Sequence, residues 1–97
     1  MSKLRKSARG KPCCLQIHPF CNGNPETVVL CHLPSLSKGI ALKPPDWMAV
    51  YGCSSCHDLI DGRVRHDLPK EEIMRSMLRA LERTWRLMID EGLITVR

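Results

Sequence analysis

Residues 53–61, CSSCHDLID, hold the densest set of side chains in the chain that can do chemistry. Two cysteines separated by two residues can form a redox dithiol, and with a histidine directly after them they can attach a c-type haem. The same thiols can also supply half of a tetrahedral zinc site, because zinc commonly takes its ligands as close pairs from two chain segments. Each alternative makes a different demand on the rest of the sequence.

Three upstream cysteines favour the zinc interpretation. A haem site or a redox dithiol leaves these thiols without a role, and the chain shows neither an export signal nor the βαβ pattern of thioredoxin-like proteins. A structural Zn²⁺ uses both groups of cysteines. Its predicted ligands are Cys53, Cys56, Cys21 and either Cys13 or Cys14, a choice that the spacing leaves open.

Two further residues near these cysteines have weaker claims to the metal. His18 lies between the upstream cysteines and is an alternative ligand. Cys31 falls in an apolar segment and is expected to be a buried core cysteine. The alternative to a metal site is that the thiols are simply buried and free.

The composition agrees with a small protein that a metal stabilises. The chain has 97 residues and six cysteines, but only two tryptophans, one tyrosine and one phenylalanine. A single domain with a thin core is therefore expected, and a bound metal is a useful stabiliser at this size. No N-terminal apolar segment indicates a signal peptide, and no apolar run approaches a membrane span. We expect a reducing cytoplasmic location, where clustered cysteines bind metals more often than they form disulfides.

The formal net charge is +5, and the N-terminal segment, residues 1–11, is strongly basic. The basic residues that precede the first acidic residue are Lys3, Arg5, Lys6, Arg9 and Lys11. Such a basic arm, flexible or loosely docked, can bind a polyanion, of which nucleic acid is the commonest, whereas a solvated tail is the alternative. Arg63 and Arg65 can add phosphate contacts.

The elements that must position these side chains follow from the hydrophobic pattern. A strand is predicted at residues 26–33, which are apolar and β-branched, and a strand and turn at 13–21. Residues 47–53 are a second strand candidate or a short turn into the cysteine pair. Residues 34–46 are rich in proline, glycine and serine and are expected to form an exposed loop. Residues 93–96 favour a short terminal strand.

Two helices are predicted in the second half of the chain. The first begins at Ser54 and ends near Gly62, while the second covers residues 67–92, with Pro69 in its first turn and Gly92 at its end. One apolar stripe of the second helix should face the core: Ile73, Met77, Leu81, Trp85 and Met88. The opposite face should be solvated, with Arg75, Arg79, Glu82, Arg83 and Arg86.

Four blocks of the sequence, LRKSARGKPC, CNGNPETVVLCH, KPPD and CSSCHDLID, occur in an order that resembles the YbcO-like nucleases of prophages. That family is similar to HNH and endonuclease VII-type enzymes. The resemblance extends over about residues 4–63. It implies a β-hairpin and a helix around a catalytic divalent metal, with a separate zinc holding two cysteine knuckles. It also implies Cys13 rather than Cys14 as the ligand, because a cysteine follows ARG after two residues in the family pattern.

The resemblance also gives roles to two histidines. His32, at the end of the predicted strand, corresponds to the general base, and His57 to the first metal ligand on the helix. Asp61 lies four residues after His57, so a helix places both on one face, and imidazole plus carboxylate suits Mg²⁺ or Mn²⁺. The sequence departs from the usual pattern because Cys31 stands where many such nucleases have a metal ligand. The asparagine that orients the hairpin loop is also missing, and Asp46 is a candidate replacement.

The sequence therefore predicts a small zinc-stabilised α+β domain at residues 12–97, with an HNH/endonuclease VII-like ββα-metal site and a long C-terminal helix. Its expected function is metal-dependent hydrolysis of DNA phosphodiester bonds in prophage DNA processing or recombination. The predicted catalytic residues are His32 and His57. A Mg²⁺ or Mn²⁺ ion would bind to His57 and Asp61, and a Zn²⁺ ion would be structural. His66 is a secondary candidate, no membrane partner is expected, and the oligomeric state stays open. The alternative is a non-catalytic zinc module that binds nucleic acid or a protein.

Overall fold

A computed structural model describes residues 2–33 and 45–97 of the chain. Its helices are α1 (Lys3–Ser7), α2 (Ser54–Ile60) and α3 (Lys70–Asp90), and its strands are β1 (Val29–His32) and β2 (Ala49–Gly52), with a 3₁₀ turn at Pro25–Thr27. The predicted α+β class is confirmed. The loop predicted at 34–46 lies outside the described residues except for its last two positions.

The two strands pair antiparallel in a two-stranded sheet, with Val29 opposite Gly52 and His32 opposite Ala49. Both predicted strands are therefore confirmed with shorter bounds. Gly52 is needed for packing, because a Cβ there would lie 2.6 Å from Leu15 Cδ1 and 2.9 Å from Cys31 Sγ. The sheet is thus held tightly against the segment that carries the upstream cysteines.

The strand predicted within residues 13–21 is wrong, because this segment is a series of turns. The amides of Phe20 and Cys21 both donate to the carbonyl oxygen of Ile17, at 2.9 Å and 2.8 Å. Gln16 adopts a positive φ of 49°. Leu15 and Ile17 are nevertheless buried. Their alternation with polar residues reflects burial within an irregular loop. It does not indicate a paired strand.

Helix α3 begins after Pro69, which was predicted in the first turn but is the N-cap residue just before it. It ends before Gly92, whose φ of +72° suits a C-terminal cap. Its buried residues are Ala80, Leu81, Thr84 and Met88. The predicted stripe therefore identified Leu81 and Met88 but missed two small neighbours of the stripe. The predicted solvated face is confirmed as exposed.

The terminal strand predicted at residues 93–96 is absent from the described chain. The amides of Leu93 and Ile94 both point back to the carbonyl oxygen of Met88, at 2.8 Å and 3.4 Å. This segment therefore caps α3 and has no strand partner among the described residues.

The basic N-terminal segment is packed on the sheet in the structure, which corrects the flexible or loosely docked arm expected from the sequence. Ser2 caps α1 by accepting a hydrogen bond from the Arg5 amide. The Ser7 hydroxyl lies 2.6 Å from the Tyr51 hydroxyl, and Ala8 is 1% exposed. These contacts fix the direction of the basic side chains of α1. No helix in the described part of the chain has both the length and the apolarity needed to cross a membrane.

Candidate functional site

The four sulfur atoms of Cys13, Cys21, Cys53 and Cys56 all lie within 4.8 Å of one another. Two sulfur pairs, Cys13 with Cys56 and Cys21 with Cys53, are each 3.8 Å apart. A tetrahedral ion with metal–sulfur bonds of about 2.3 Å places its ligands about 3.8 Å apart. The four cysteines could therefore hold a metal ion.

Backbone amides donate hydrogen bonds to two of these sulfurs, those of Cys13 and Cys53. The N–H of Cys53 donates to Cys13 Sγ at 3.2 Å, and the N–H of Gln16 donates to the same sulfur at 3.5 Å. Cys53 is the N-cap of α2, and its sulfur accepts from the amides of Asn22 and Cys56 at 3.4 Å and 3.5 Å. N–H donors of this kind stabilise thiolate, the form in which cysteine binds metals.

The protonation of the cluster is uneven. The hydrogen bond from the Cys56 thiol, helped by backbone amides, lowers the pKa of Cys13 to about 4 against the opposing effect of burial. The same shared proton raises the pKa of Cys56, and burial raises the pKa of Cys21 to about 11. Binding of a metal must therefore displace protons, so the affinity falls as the pH falls.

The other two cysteines and His18 lie apart from this cluster. The Cys14 sulfur contacts the Pro12 carbonyl oxygen at 3.6 Å, and burial raises the pKa of this thiol. Cys31 is fully buried, as expected for a core cysteine, and burial raises its pKa to about 12. His18 is exposed. The structure thus brings Cys13, and neither Cys14 nor His18, to the other three predicted ligands.

The two predicted catalytic histidines face a common open cavity of about 670 Å³. His32 reaches it from the last position of β1, and His57 from the first turns of α2. One wall comes from α1 and the turn after it, and its basic residues are Arg5, Lys6 and Arg9. The cavity therefore combines two titratable groups with a positively charged wall that suits a phosphate.

His57 and Asp61 lie side by side, as the helical spacing predicts. His57 Nε2 is 3.0 Å from Asp61 Oδ2, and both side chains are partly open to solvent. Two ligands at right angles about 2.1 Å from a Mg²⁺ or Mn²⁺ ion are about 3.0 Å apart, so the pair fits two positions of an octahedral site. In the described chain no other His, Cys, Asp or Glu joins them in a group of three. Water and substrate oxygens commonly fill such remaining positions.

Arg63 lies beside this pair. Its guanidinium is 3.1 Å from Asp58 Oδ1 and 3.6 Å from Asp61 Oδ2. Arg63 therefore contacts both carboxylates at the end of α2.

Sequence reasoning missed the partner of His32. Asp46 Oδ1 lies 2.7 Å from His32 Nε2, and the other carboxylate oxygen accepts a 2.6 Å hydrogen bond from the Ser2 hydroxyl. Arg5 Nε is 3.6 Å from the same carboxylate. The hydrogen bond from Ser2, then that from His32 and the charge of Arg5, hold the pKa of Asp46 below its usual value. Ser2 and Asp46 are 44 residues apart, so no local spacing indicates the contact.

Asn22 is a residue that the sequence did not single out. Its side-chain amide donates to the hydroxyls of Ser54 and Ser55, at 3.1 Å each. Its carbonyl oxygen accepts from the Asn24 amide and the Thr27 hydroxyl at 2.8 Å and 3.3 Å. Asn22 thereby ties the turn before β1 to the start of α2, which carries His57.

The remaining predicted phosphate-binding residues lie away from the cavity. Lys11 is paired with Glu91 at 3.0 Å, and Lys3 and Arg63 do not line the cavity. Arg65 and His66 line a separate shallow hollow. His66 Nδ1 accepts a hydrogen bond from the Leu68 amide, and its ring packs edge-on against Phe20. Both contacts are typical of a structural histidine.

Comparisons with known proteins agree on one family. The model of the family described as "Putative nuclease YbcO" matches residues 2–93. Proteins described in the same words from Escherichia coli (strain K12) and from Enterobacteria phage 82 are each 42% identical over 95 residues, which is 97% of this chain and 98% of theirs. A solved structure described as a putative bacteriophage protein from E. coli K-12 MG1655 has a TM-score of 0.78 and 41% identity, covering 93% of this chain and all of that one. The chain belongs to the family described as "Putative nuclease YbcO".

Proposed function

We propose that this chain is a metal-dependent endonuclease that hydrolyses DNA phosphodiester bonds at a ββα-metal site of the HNH type. The observation that carries the proposal is the cavity that His32, His57 and the basic wall of α1 share. The order β1, β2, α2 is that of a hairpin followed by a helix, as such a site requires. The phage relative supports a role in processing phage or prophage DNA.

His32 is the general base in this proposal. An imidazole has a pKa near neutrality in its ordinary state, so it can take a proton from the attacking water at physiological pH. Its position at the end of β1 places the ring at the cavity surface, with 24% of the side chain exposed. Water and a phosphate can therefore both reach it.

His57 and Asp61 hold the catalytic divalent ion, Mg²⁺ or Mn²⁺. When bound, such an ion supplies positive charge for the phosphate and for the leaving 3′-oxygen. Both ligands are on one helix, and Arg63 fixes the carboxylate through its 3.6 Å contact. The chain's own contribution is to orient two donor atoms toward the cavity.

The Cys13, Cys21, Cys53 and Cys56 cluster holds a structural Zn²⁺. A sulfur-only, four-ligand site leaves no open coordination position, which is typical of structural zinc. Cys53 caps α2 and Cys56 lies within it. The zinc therefore holds the helix that carries His57 against the turns at residues 13–21.

DNA is expected to lie along α1. Arg5, Lys6 and Arg9 line the cavity, while Lys3, Lys11, Arg63 and Arg65 can reach the backbone only outside it. Contacts to phosphates carry no direct sequence information. We therefore expect recognition of DNA shape more than of base sequence.

The test is nicking of supercoiled plasmid with Mg²⁺ or Mn²⁺ by the wild type, His32→Ala and His57→Ala. The rate of each variant should fall about 100- to 10,000-fold, as expected when a general base or a metal ligand is removed. His18→Ala is the matched control, because that histidine is exposed and does not line the cavity. Activity that survives in both cavity variants would contradict the assignment of His32 and His57 as catalytic residues. DNA binding without cleavage under any metal would favour the non-catalytic zinc module.

A further inference from the structure

We infer that helix α1 positions the general base: Ser2 and Arg5 hold the Asp46 carboxylate, and that carboxylate orients the ring of His32. The inference rests on the proposed function, because it assumes that His32 takes a proton. It makes Asp46 a positioning residue and gives the basic N-terminal segment a second task besides phosphate binding.

The contacts form one continuous chain. The Ser2 hydroxyl accepts the Arg5 amide at 3.2 Å and donates to Asp46 Oδ2 at 2.6 Å. Asp46 Oδ1 faces His32 Nε2 at 2.7 Å and Arg5 Nε at 3.6 Å. Since a hydroxyl has one proton to donate and can accept others, each of these contacts is compatible with the rest. Both oxygens of one carboxylate are thus engaged, each from a different direction.

This arrangement determines which ring nitrogen of His32 carries the proton. The pKa of Asp46 is held below its usual value by Ser2, His32 and Arg5, so the carboxyl stays ionised and can only accept hydrogen bonds. Nε2 must therefore be the protonated nitrogen. Nδ1 is left with the lone pair that takes a proton from water, as in other histidines whose partner fixes the tautomer.

Asp46 depends on α1 for its own placement. It follows directly on residues 34–44 and Pro45, and it belongs to neither β1 nor β2. Its side chain is 26% exposed, so its carboxylate would otherwise be free to turn toward solvent. Helix α1 also carries Lys6 and leads into Arg9. The segment proposed to bind DNA is therefore also the segment that orients the general base His32.

Two pairs of variants test the inference. Asp46→Asn should lower kcat for plasmid nicking about 10- to 100-fold, the usual range for a residue that orients a reacting group, while KM changes little. Ser2→Asp and Ser2→Asn both keep an N-cap for α1, but only asparagine can donate to Asp46. We expect Ser2→Asp to lower kcat and Ser2→Asn to retain it. Glu82→Gln is the control, since Glu82 pairs with Arg86 at 3.5 Å on the outer face of α3 and does not line the cavity.

A spectroscopic readout separates positioning from a general loss of structure. The ¹⁵N shifts of the His32 ring at alkaline pH should show the Nε2–H tautomer in the wild type and in Glu82→Gln, and a mixture in Asp46→Asn. If kcat and tautomer are unchanged in Asp46→Asn and Ser2→Asp while His32→Ala is inactive, the inference is wrong and the proposed function stands. If the wild type cleaves no DNA with any divalent ion, the proposed function fails, and the inference fails with it.

Discussion

At the scale of single residues, the adjacent cysteines show what a spacing pattern can decide. Cys13 and Cys14 are equivalent as sequence positions, and only the resemblance to a family favoured Cys13. In the structure their side chains point in different directions, with Cys13 Sγ beside Cys56 and Cys14 Sγ beside the Pro12 carbonyl oxygen. The choice depends on turns in the chain that the residue types alone do not determine.

This difference predicts opposite results for two neighbouring substitutions. Cys13→Ser should abolish zinc binding and, with it, lower the free energy of unfolding, because metal binding and folding are coupled in small zinc proteins. Cys14→Ser should keep one zinc per chain, since its sulfur is not among the four clustered ligands. Zinc content of the purified variants and their far-ultraviolet circular dichroism measure this. Full zinc occupancy in Cys13→Ser would contradict the ligand assignment.

At the scale of elements, patterns with a clear period were predicted well and irregular segments were not. The 3.6-residue period placed α3 to within a few residues, and β-branched residues placed β1. The strand predicted at residues 13–21 failed because turn hydrogen bonds to Ile17 and the gathering of cysteine sulfurs override a short alternation. The Asp46 contact to His32 could not be predicted, since the two residues are 14 positions apart and Asp46 belongs to neither strand.

One contact between elements gives a quantitative prediction. The Tyr51 amide of β2 donates to the Thr84 hydroxyl of α3 at 3.0 Å, and both residues are fully buried. Thr84→Val keeps the shape but leaves that amide without an acceptor, so the free energy of unfolding should fall by about 1–3 kcal/mol. Thr84→Ser keeps the hydroxyl, and Thr95→Val changes an exposed threonine. Urea denaturation should rank the wild type and Thr95→Val above Thr84→Val. Equal stability of all variants would show that the hydrogen bond contributes nothing.

At the scale of the whole molecule, helix α2 links the cysteine cluster to the cavity that the basic side chains of α1 line. Helix α2 begins in the cysteine cluster and carries His57 into the cavity, while α1 brings basic side chains to the facing wall. Part of the basic charge that gives the chain its net +5 therefore lies where a phosphate would bind. The sequence predicted that both histidines belong to one site, but not that the basic segment lines the same cavity.

This arrangement predicts how DNA binding depends on salt. Removing one side chain that neutralises a phosphate should reduce the slope of log K against log salt by about 0.9, so Lys6→Gln should lower its magnitude by about one unit. Arg86→Gln is the control, because Arg86 is exposed on the outer face of α3 and pairs with Glu82. Fluorescence anisotropy with a labelled duplex at several salt concentrations gives both slopes. An unchanged slope in Lys6→Gln would place the DNA elsewhere on the surface.

The central claim is that the cavity between His32 and His57 cleaves DNA with a divalent ion. The most direct measurement is the initial rate at which zinc-loaded protein nicks supercoiled plasmid, with Mg²⁺ or Mn²⁺ added and with neither. We expect nicking that requires the added ion and is abolished in both His32→Ala and His57→Ala. Intact plasmid under every ion, or nicking that both variants retain, would contradict the claim.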